Sequence, residues 1–207
     1  MSNIMAYQPH PRFMKLYQAI DSQDIDLLKT LLSNKVYLIH LDWDENREDY
    51  ETLLELAVKI ENLALVQILL EKGHNLPYWS KCLAISIELA AELNNLEIVQ
   101  TLLEAGADAN VGGTASPIIP AAGTRNIQLV QLLISSGAEV NSVGEEGVTP
   151  LMTASGSGSI EIVKLLVEHG ARIDATRVDG WYTALHLARD YGHEDVCQYL
   201  ENNLNKM

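Results

Sequence analysis

Thr149-Pro150-Leu151-Met152-Thr153-Ala154, a short Gly/Ser turn to Gly158, and then Ile160-Glu161-Ile162-Val163-Lys164-Leu165-Leu166-Val167-Glu168-His169 decide how this chain folds. Thr149 is a good N-cap, because its hydroxyl can accept from a free N–H of the first helical turn. Pro150 follows at the first helical position, where its missing N–H costs nothing and its fixed φ suits the helix. The second run carries apolar residues at 162, 163, 165, 166 and 167, a broad stripe of helical period. Gly170 ends it, as expected of a residue at positive φ. The stretch reads as two helices joined by a turn, with one apolar side to bury.

Five further segments lie over this one. The apolar pair opening the second half of each unit recurs as Leu27-Leu28, Leu65-Val66, Ile98-Val99, Leu129-Val130, Ile162-Val163 and Val196-Cys197. The second members stand 38, 33, 31, 33 and 34 residues apart. A second pair follows each: Leu31-Leu32, Leu69-Leu70, Leu102-Leu103, Leu132-Leu133, Leu165-Leu166 and Tyr199-Leu200. Leu132 and Leu165 are expected in the core between units. Three units close on Gly-Ala, at Gly106-Ala107, Gly137-Ala138 and Gly170-Ala171. A fixed period near 33 marks a repeat array, in which one unit cannot bury its own apolar side and stacks on its neighbours.

Thr149-Pro150-Leu151-Met152 and Thr183-Ala184-Leu185-His186 resemble the Thr-Pro-Leu-His tetrapeptide that opens an ankyrin repeat. Gly192-His193-Glu194-Asp195-Val196 resembles that family's inter-helix turn. Gly106-Ala107-Asp108-Ala109-Asn110 and Gly137-Ala138-Glu139-Val140-Asn141 resemble its closing sequence. The resemblance implies an all-α ankyrin-repeat solenoid of about six helix-turn-helix repeats with short β-hairpin fingers. Its units span roughly 12–40, 50–77, 80–110, 114–141, 147–174 and 181–203, within a single domain over 1–207. The first unit lacks the opening threonine and proline and reads as an N-terminal cap, and the polar tail from Glu201 to Lys206 suits a C-terminal one. Arg125 and Glu61 stand where the inter-helix glycine is expected, so those turns should differ, whereas Asn94 takes the left-handed region more easily. Pro120 falls early in a predicted helix. Gly112-Gly113-Thr114 leaves one finger two residues short, and Leu41 to Tyr50 makes the first about five residues long.

The net charge of −14 argues against nucleic-acid phosphates and against anionic lipid, both of which call for Lys/Arg patches. It favours a basic protein partner, or serves solubility alone. The two cysteines, Cys82 and Cys197, read as reduced hydrophobes of a cytoplasmic protein. The N-terminus has no signal-peptide pattern, and no apolar run is long enough to span a bilayer. Asp42, Asp44 and Asn46 fit the first positions of a calcium loop, but Arg47 and Leu53 then stand where Gly and Glu are needed. No histidine pair has metal-ligand spacing, and Ser155-Gly-Ser-Gly-Ser159 lacks the lysine of a phosphate loop. The expectation is no enzyme, no metal and no cofactor.

All three tryptophans, Trp43, Trp79 and Trp181, fall in predicted fingers, as do Tyr50, Tyr78 and Tyr182. In the ankyrin family the fingers and first helices together form a concave binding face. Aromatic residues dominate interface energetics when exposed, although they can also pack beneath a finger as staples. The acid-rich first finger, Asp42 to Glu51, is either a contact surface for a basic partner or a solvated loop. The candidate partner-binding residues are Trp43, Asp44, Glu45, Tyr50, Trp79, Glu145, Glu146, Val178, Asp179, Trp181, Tyr182 and Tyr191. The resulting expectation is a protein–protein interaction module, monomeric when free, that binds no nucleic acid and no membrane. Two other readings stay open: an inhibitor or immunity-type protein covering the cleft of a basic enzyme or toxin, and a structural spacer without a dedicated concave partner.

Overall fold

A computed structural model of the chain describes residues 14–32, 52–73, 79–178 and 180–205. Their α-helices come in pairs. These are α1 (Met14–Asp21) with α2 (Ile25–Leu31), α3 (Leu53–Lys59) with α4 (Leu63–Gly73), and α5 (Trp79–Glu92) with α6 (Leu96–Glu104). They continue with α7 (Ile118–Gly123) and α8 (Ile127–Ser135), α9 (Pro150–Ser157) and α10 (Ile160–Glu168), and α11 (Ala184–Asp190) and α12 (Glu194–Leu204). The chain divides into two compact units, Met1–Leu83 and Ala84–Met207.

Each pair is joined by the same turn. Its pivot sits in the left-handed region at Gln23, Glu61, Asn94, Arg125, Gly158 and Gly192, with φ between 53° and 74°. The turns at Glu61 and Arg125 therefore do not differ from the glycine turns, contrary to the sequence expectation. Packing of the two helices fixes the bend, and the non-glycine pivots adopt it at a strain of about 1–2 kcal/mol each. Arg125 recovers part of this, because its Nε and Nη2 both donate to the carbonyl oxygen of Ser157, the former at 2.9 Å. Just after the pivot, Asp24, Asn62, Asn95 and Asn126 cap the second helix by accepting from the N–H three residues on.

Five residues before that cap position, each first helix carries a fully buried alanine: Ala19, Ala57, Ala90, Ala121, Ala154 and Ala188. In the second unit the first helices α7, α9 and α11 pack closely on one another, because alanine lets the backbones approach. The second helices α6, α8, α10 and α12 touch more sparsely and leave grooves between them. Their buried stripe includes Val99, Leu102, Val130, Leu133, Val163, Leu166 and Leu200. Leu165 is buried, as expected, but Leu132 is only half-buried and Leu133 takes the core position. The apolar pair is read one residue too early there, since both leucines of a pair fit a broad helical stripe.

Between pairs in the second unit the chain turns without forming strands among the described residues, apart from an isolated antiparallel bridge between Thr176 and Thr183. An asparagine ladder links these turns. Asn110 donates to the carbonyl of Gly137 at 3.0 Å and accepts from the N–H of Glu139 at 2.7 Å. Asn141 repeats both bonds with Gly170 and Arg172, at 2.9 and 2.8 Å. The short finger at Gly112-Gly113-Thr114 is held instead by Glu88, whose carboxylate accepts from the N–H groups of Thr114 and Ala115 and from the Thr114 hydroxyl. Gly112 is needed there, since a Cβ would meet the Ala115 carbonyl at 1.8 Å. Pro120 is the third residue of α7, among the N–H positions that have no helical partner in any case.

Candidate functional site

The finger between α9 and its predecessor is a 3₁₀ turn, Glu145–Gly147, in which Glu146 has a positive φ. The Gly144 N–H closes it onto the carbonyl of Val148 at 2.9 Å. The next finger locks onto it. The Val178 N–H donates to the carbonyl of Glu146 at 3.0 Å, and the Arg177 guanidinium pairs with the Glu146 carboxylate. Gly147 makes this approach feasible, because a Cβ would lie 2.9 Å from the Val178 nitrogen. The two fingers thus bring Glu146 against Arg177 and Val178.

Exposure in this region is unusual for apolar side chains. Val178 is 80 % exposed, Trp181 79 % and Tyr191 66 %. Val143, in the same finger as Glu145, is also largely exposed and escaped the sequence reading, where a lone valine among loop residues carries no signal. Tyr182 is half-buried. Its hydroxyl bonds Asp190, and its ring stacks on His186 at 5.8 Å between centroids. The Tyr191 ring runs beside Gly156 and stacks on His193 at 6.5 Å. Both histidines are tied to backbone: His186 Nδ1 accepts from the Thr183 N–H at 3.3 Å at the start of α11, and His193 Nε2 bonds the carbonyl of Gly156 in α9 of the preceding repeat at 3.1 Å. Asp190, not among the residues expected from sequence, is thereby placed beside the aromatic group.

The remaining expected residues lie elsewhere. Trp79 is not in a finger. It heads α5, half-buried, with its six-membered ring filling the space a Cβ on Gly73 would need. Burial of the ring against α4 outweighs the loop signal of the preceding Pro77-Tyr78. Trp43, Asp44, Glu45, Tyr50 and Asp179 fall outside the described residues, as do Tyr78 and the acid-rich first finger.

The surface offers aromatic faces and carboxylates, a chemistry that recognises cations and apolar groups. The groups with shifted pKa values are two thiols and a phenol. Burial raises the Cys197 thiol above its ordinary pKa, with Glu194 adding to the effect. Burial and then Glu55 raise that of Cys82, and burial followed by Glu168 raises the Tyr199 phenol. A thiol held protonated is a poor nucleophile and a poor metal ligand. Among the described residues no group of three or more His, Cys, Asp or Glu is placed to hold a metal ion. None of the described helices is long and apolar enough to cross a membrane.

No curated protein matches the chain. The family model described as ankyrin repeats (3 copies) matches it twice, over residues 16–113 and 118–207. That covers nearly the whole length and agrees with the paired helices and the recurring turn. The chain belongs to the ankyrin-repeat family, whose repeats serve in general as protein–protein interaction modules and are typically not enzymes.

Proposed function

We propose that this chain binds a basic protein partner through the finger and first-helix side of its repeats. The observation that carries this reading is the exposure of Val178, Trp181 and Tyr191. An exposed tryptophan favours aggregation unless a partner covers it. Aromatic anchors supply affinity, and surrounding acids speed the approach of a basic partner. On this reading Trp43, Asp44, Glu45 and Tyr50 add contacts from the first unit, and Glu145, Val178, Asp179 and Tyr182 from the second. The repeats act as one domain, monomeric until the partner binds. The net charge of −14 supports a protein that leaves nucleic acid and anionic lipid alone, and its two unpaired cysteines support a cytoplasmic one.

The test is affinity capture from source cells with wild-type and Trp181→Ala bait, followed by titration of the partner identified by mass spectrometry. Trp181→Ala should weaken binding by about 2 kcal/mol or more. Glu145→Lys should slow association, and added salt should do the same. If Trp181→Ala lowers the melting temperature while its folded fraction keeps full affinity, the tryptophan is a structural staple and the reading fails.

A further inference from the structure

A groove of about 470 Å³ runs between α6 and α8, on the side of the second unit formed by the second helices. Leu96 and Gln100 line it from α6, and Ile127, Gln128, Gln131 and Leu132 from α8. Ile127 is 43 % exposed, and Gln100, Gln128 and Gln131 are exposed as well. Ile127 is exposed and Leu96 and Leu132 are half-buried, so the groove presents apolar surface to solvent.

The charge pattern around the groove is specific. α8 reads Ile-Gln-Leu-Val-Gln-Leu-Leu-Ile-Ser and holds no ionisable residue, unlike α2, α4, α6, α10 and α12. Aligning the helices on their apolar pairs places Gln128 between Glu97 of α6 and Glu161 of α10, and Ser135 between Glu104 and Glu168. A neutral stripe is thus bordered by a pair of acids on each side. Glu104 accepts from the Gln100 side chain at 2.9 Å, which puts its carboxylate at the groove's edge. Lys164, the one base of α10, is drawn the other way, with its Nζ 5.9 Å from the Tyr199 ring of α12.

We infer that this groove is a second docking site, distinct from the aromatic finger surface, and that its occupant is an amphipathic helix carrying Lys or Arg along the border of its apolar face that lies against α6. Apolar anchors at helical spacing enter between Ile127, Leu96 and Leu132, the mode by which a helix lies in a groove. The bases along one border meet Glu97 and Glu104 of α6, while the other border rests on the uncharged α8. The glutamines give and accept hydrogen bonds along the contact without a charge to desolvate. A second copy of this chain is disfavoured, because the same bordering acids would face one another.

The probe is a synthetic Leu/Lys peptide of about 15 residues, long enough to form a helix, titrated into the full-length ¹⁵N-labelled chain. A scrambled peptide of identical composition, with its apolar face broken, serves as control. Amide shifts should concentrate in α6 and α8, and the scrambled peptide should bind roughly tenfold more weakly or worse. Gln131→Lys, an exposed change that the fold tolerates, should weaken the amphipathic peptide by a similar factor, with an unchanged melting temperature. Trp181→Ala should leave this binding as it is, which separates the groove from the finger surface. The inference is overturned if both peptides bind alike, which would mean charge alone, if shifts fall on the fingers instead, or if no binding appears up to millimolar peptide.

Discussion

The Glu88 carboxylate accepts hydrogen bonds from the Thr114 N–H at 2.8 Å and from the Thr114 hydroxyl at 2.7 Å, spanning 26 residues of sequence. A third bond, from the Ala115 N–H at 3.0 Å, completes the clamp. Glu88 therefore does in this finger what the asparagine ladder does in the next two. Glu88→Ala should lower stability by about 1 kcal/mol, because it removes three hydrogen bonds, of which only the one from the part-buried Ala115 N–H is not readily replaced by water. Urea denaturation checks this; an unchanged midpoint would mean that water replaces the carboxylate without loss.

The strained pivots can be told apart by what their side chains do. Gln23→Gly should raise stability by about 0.5–1 kcal/mol, the relief of left-handed strain less the added freedom of glycine in the unfolded chain. Arg125→Gly should gain nothing or lose, because it gives up the bonds to the Ser157 carbonyl at the end of α9. The two thermal melts, run side by side, should move in different directions or by clearly different amounts.

Adjacent leucines of α8 should respond unequally. Leu133 is fully buried and Leu132 half-buried. Leu133→Ala should cost about 3 kcal/mol through lost burial and a cavity. Leu132→Ala should cost about 1 kcal/mol, in proportion to the smaller area withdrawn from water. Equal losses in a denaturation series would place the helix in a different register.

The two thiols set an alkaline limit. Both cysteines have pKa values raised above the ordinary 9.0, so the folded state holds their protons longer than the unfolded state does. Their contribution to stability is complete below pH 9.0 and declines as pH rises through the folded-state values. Tyr199, raised from 10.0, adds to the decline at higher pH. The urea midpoint should fall above pH 9, and Cys197→Ala should make that fall shallower. An identical slope in the variant would remove Cys197 from the account.

Much of the architecture is legible in the sequence. Thr149 and Pro150 announce a helix start, the pairs from Ile98-Val99 to Ile162-Val163 fix the period, and Gly158 and Gly192 mark the turns. What the sequence conceals has physical causes. Gln23, Glu61 and Arg125 carry no local signal for a left-handed residue, because packing of the two helices imposes that conformation. The buried alanine of every first helix passes unnoticed beside bulkier neighbours, although it sets how closely those helices approach. Trp79 reads as a loop aromatic, since only the tertiary contact with Gly73 shows that it packs as part of α5. At the finger surface, Val178, Trp181 and Tyr191 are found from residue type and position. Asp190 is not, because its partner Tyr182 is eight residues away and the pairing depends on the fold.

The ladder of Asn110 and Asn141 also bears on how such a chain grows by tandem duplication. Each asparagine donates to the closing glycine of the following unit and accepts from the N–H two residues beyond it, so it sets a register that any incoming copy must match. The segment running from Gly137 to Asn141 both receives one rung and supplies the next, which makes its unit interchangeable: a second copy spliced after it would find its bonds already provided. Asp174 stands at the corresponding place one unit later, 3.5 Å from the Arg172 guanidinium. An ionised carboxylate has no proton to give to a glycine carbonyl. A unit duplicated at that point would arrive without its donor, so length is cheaply added before Asp174 and costly to add after it.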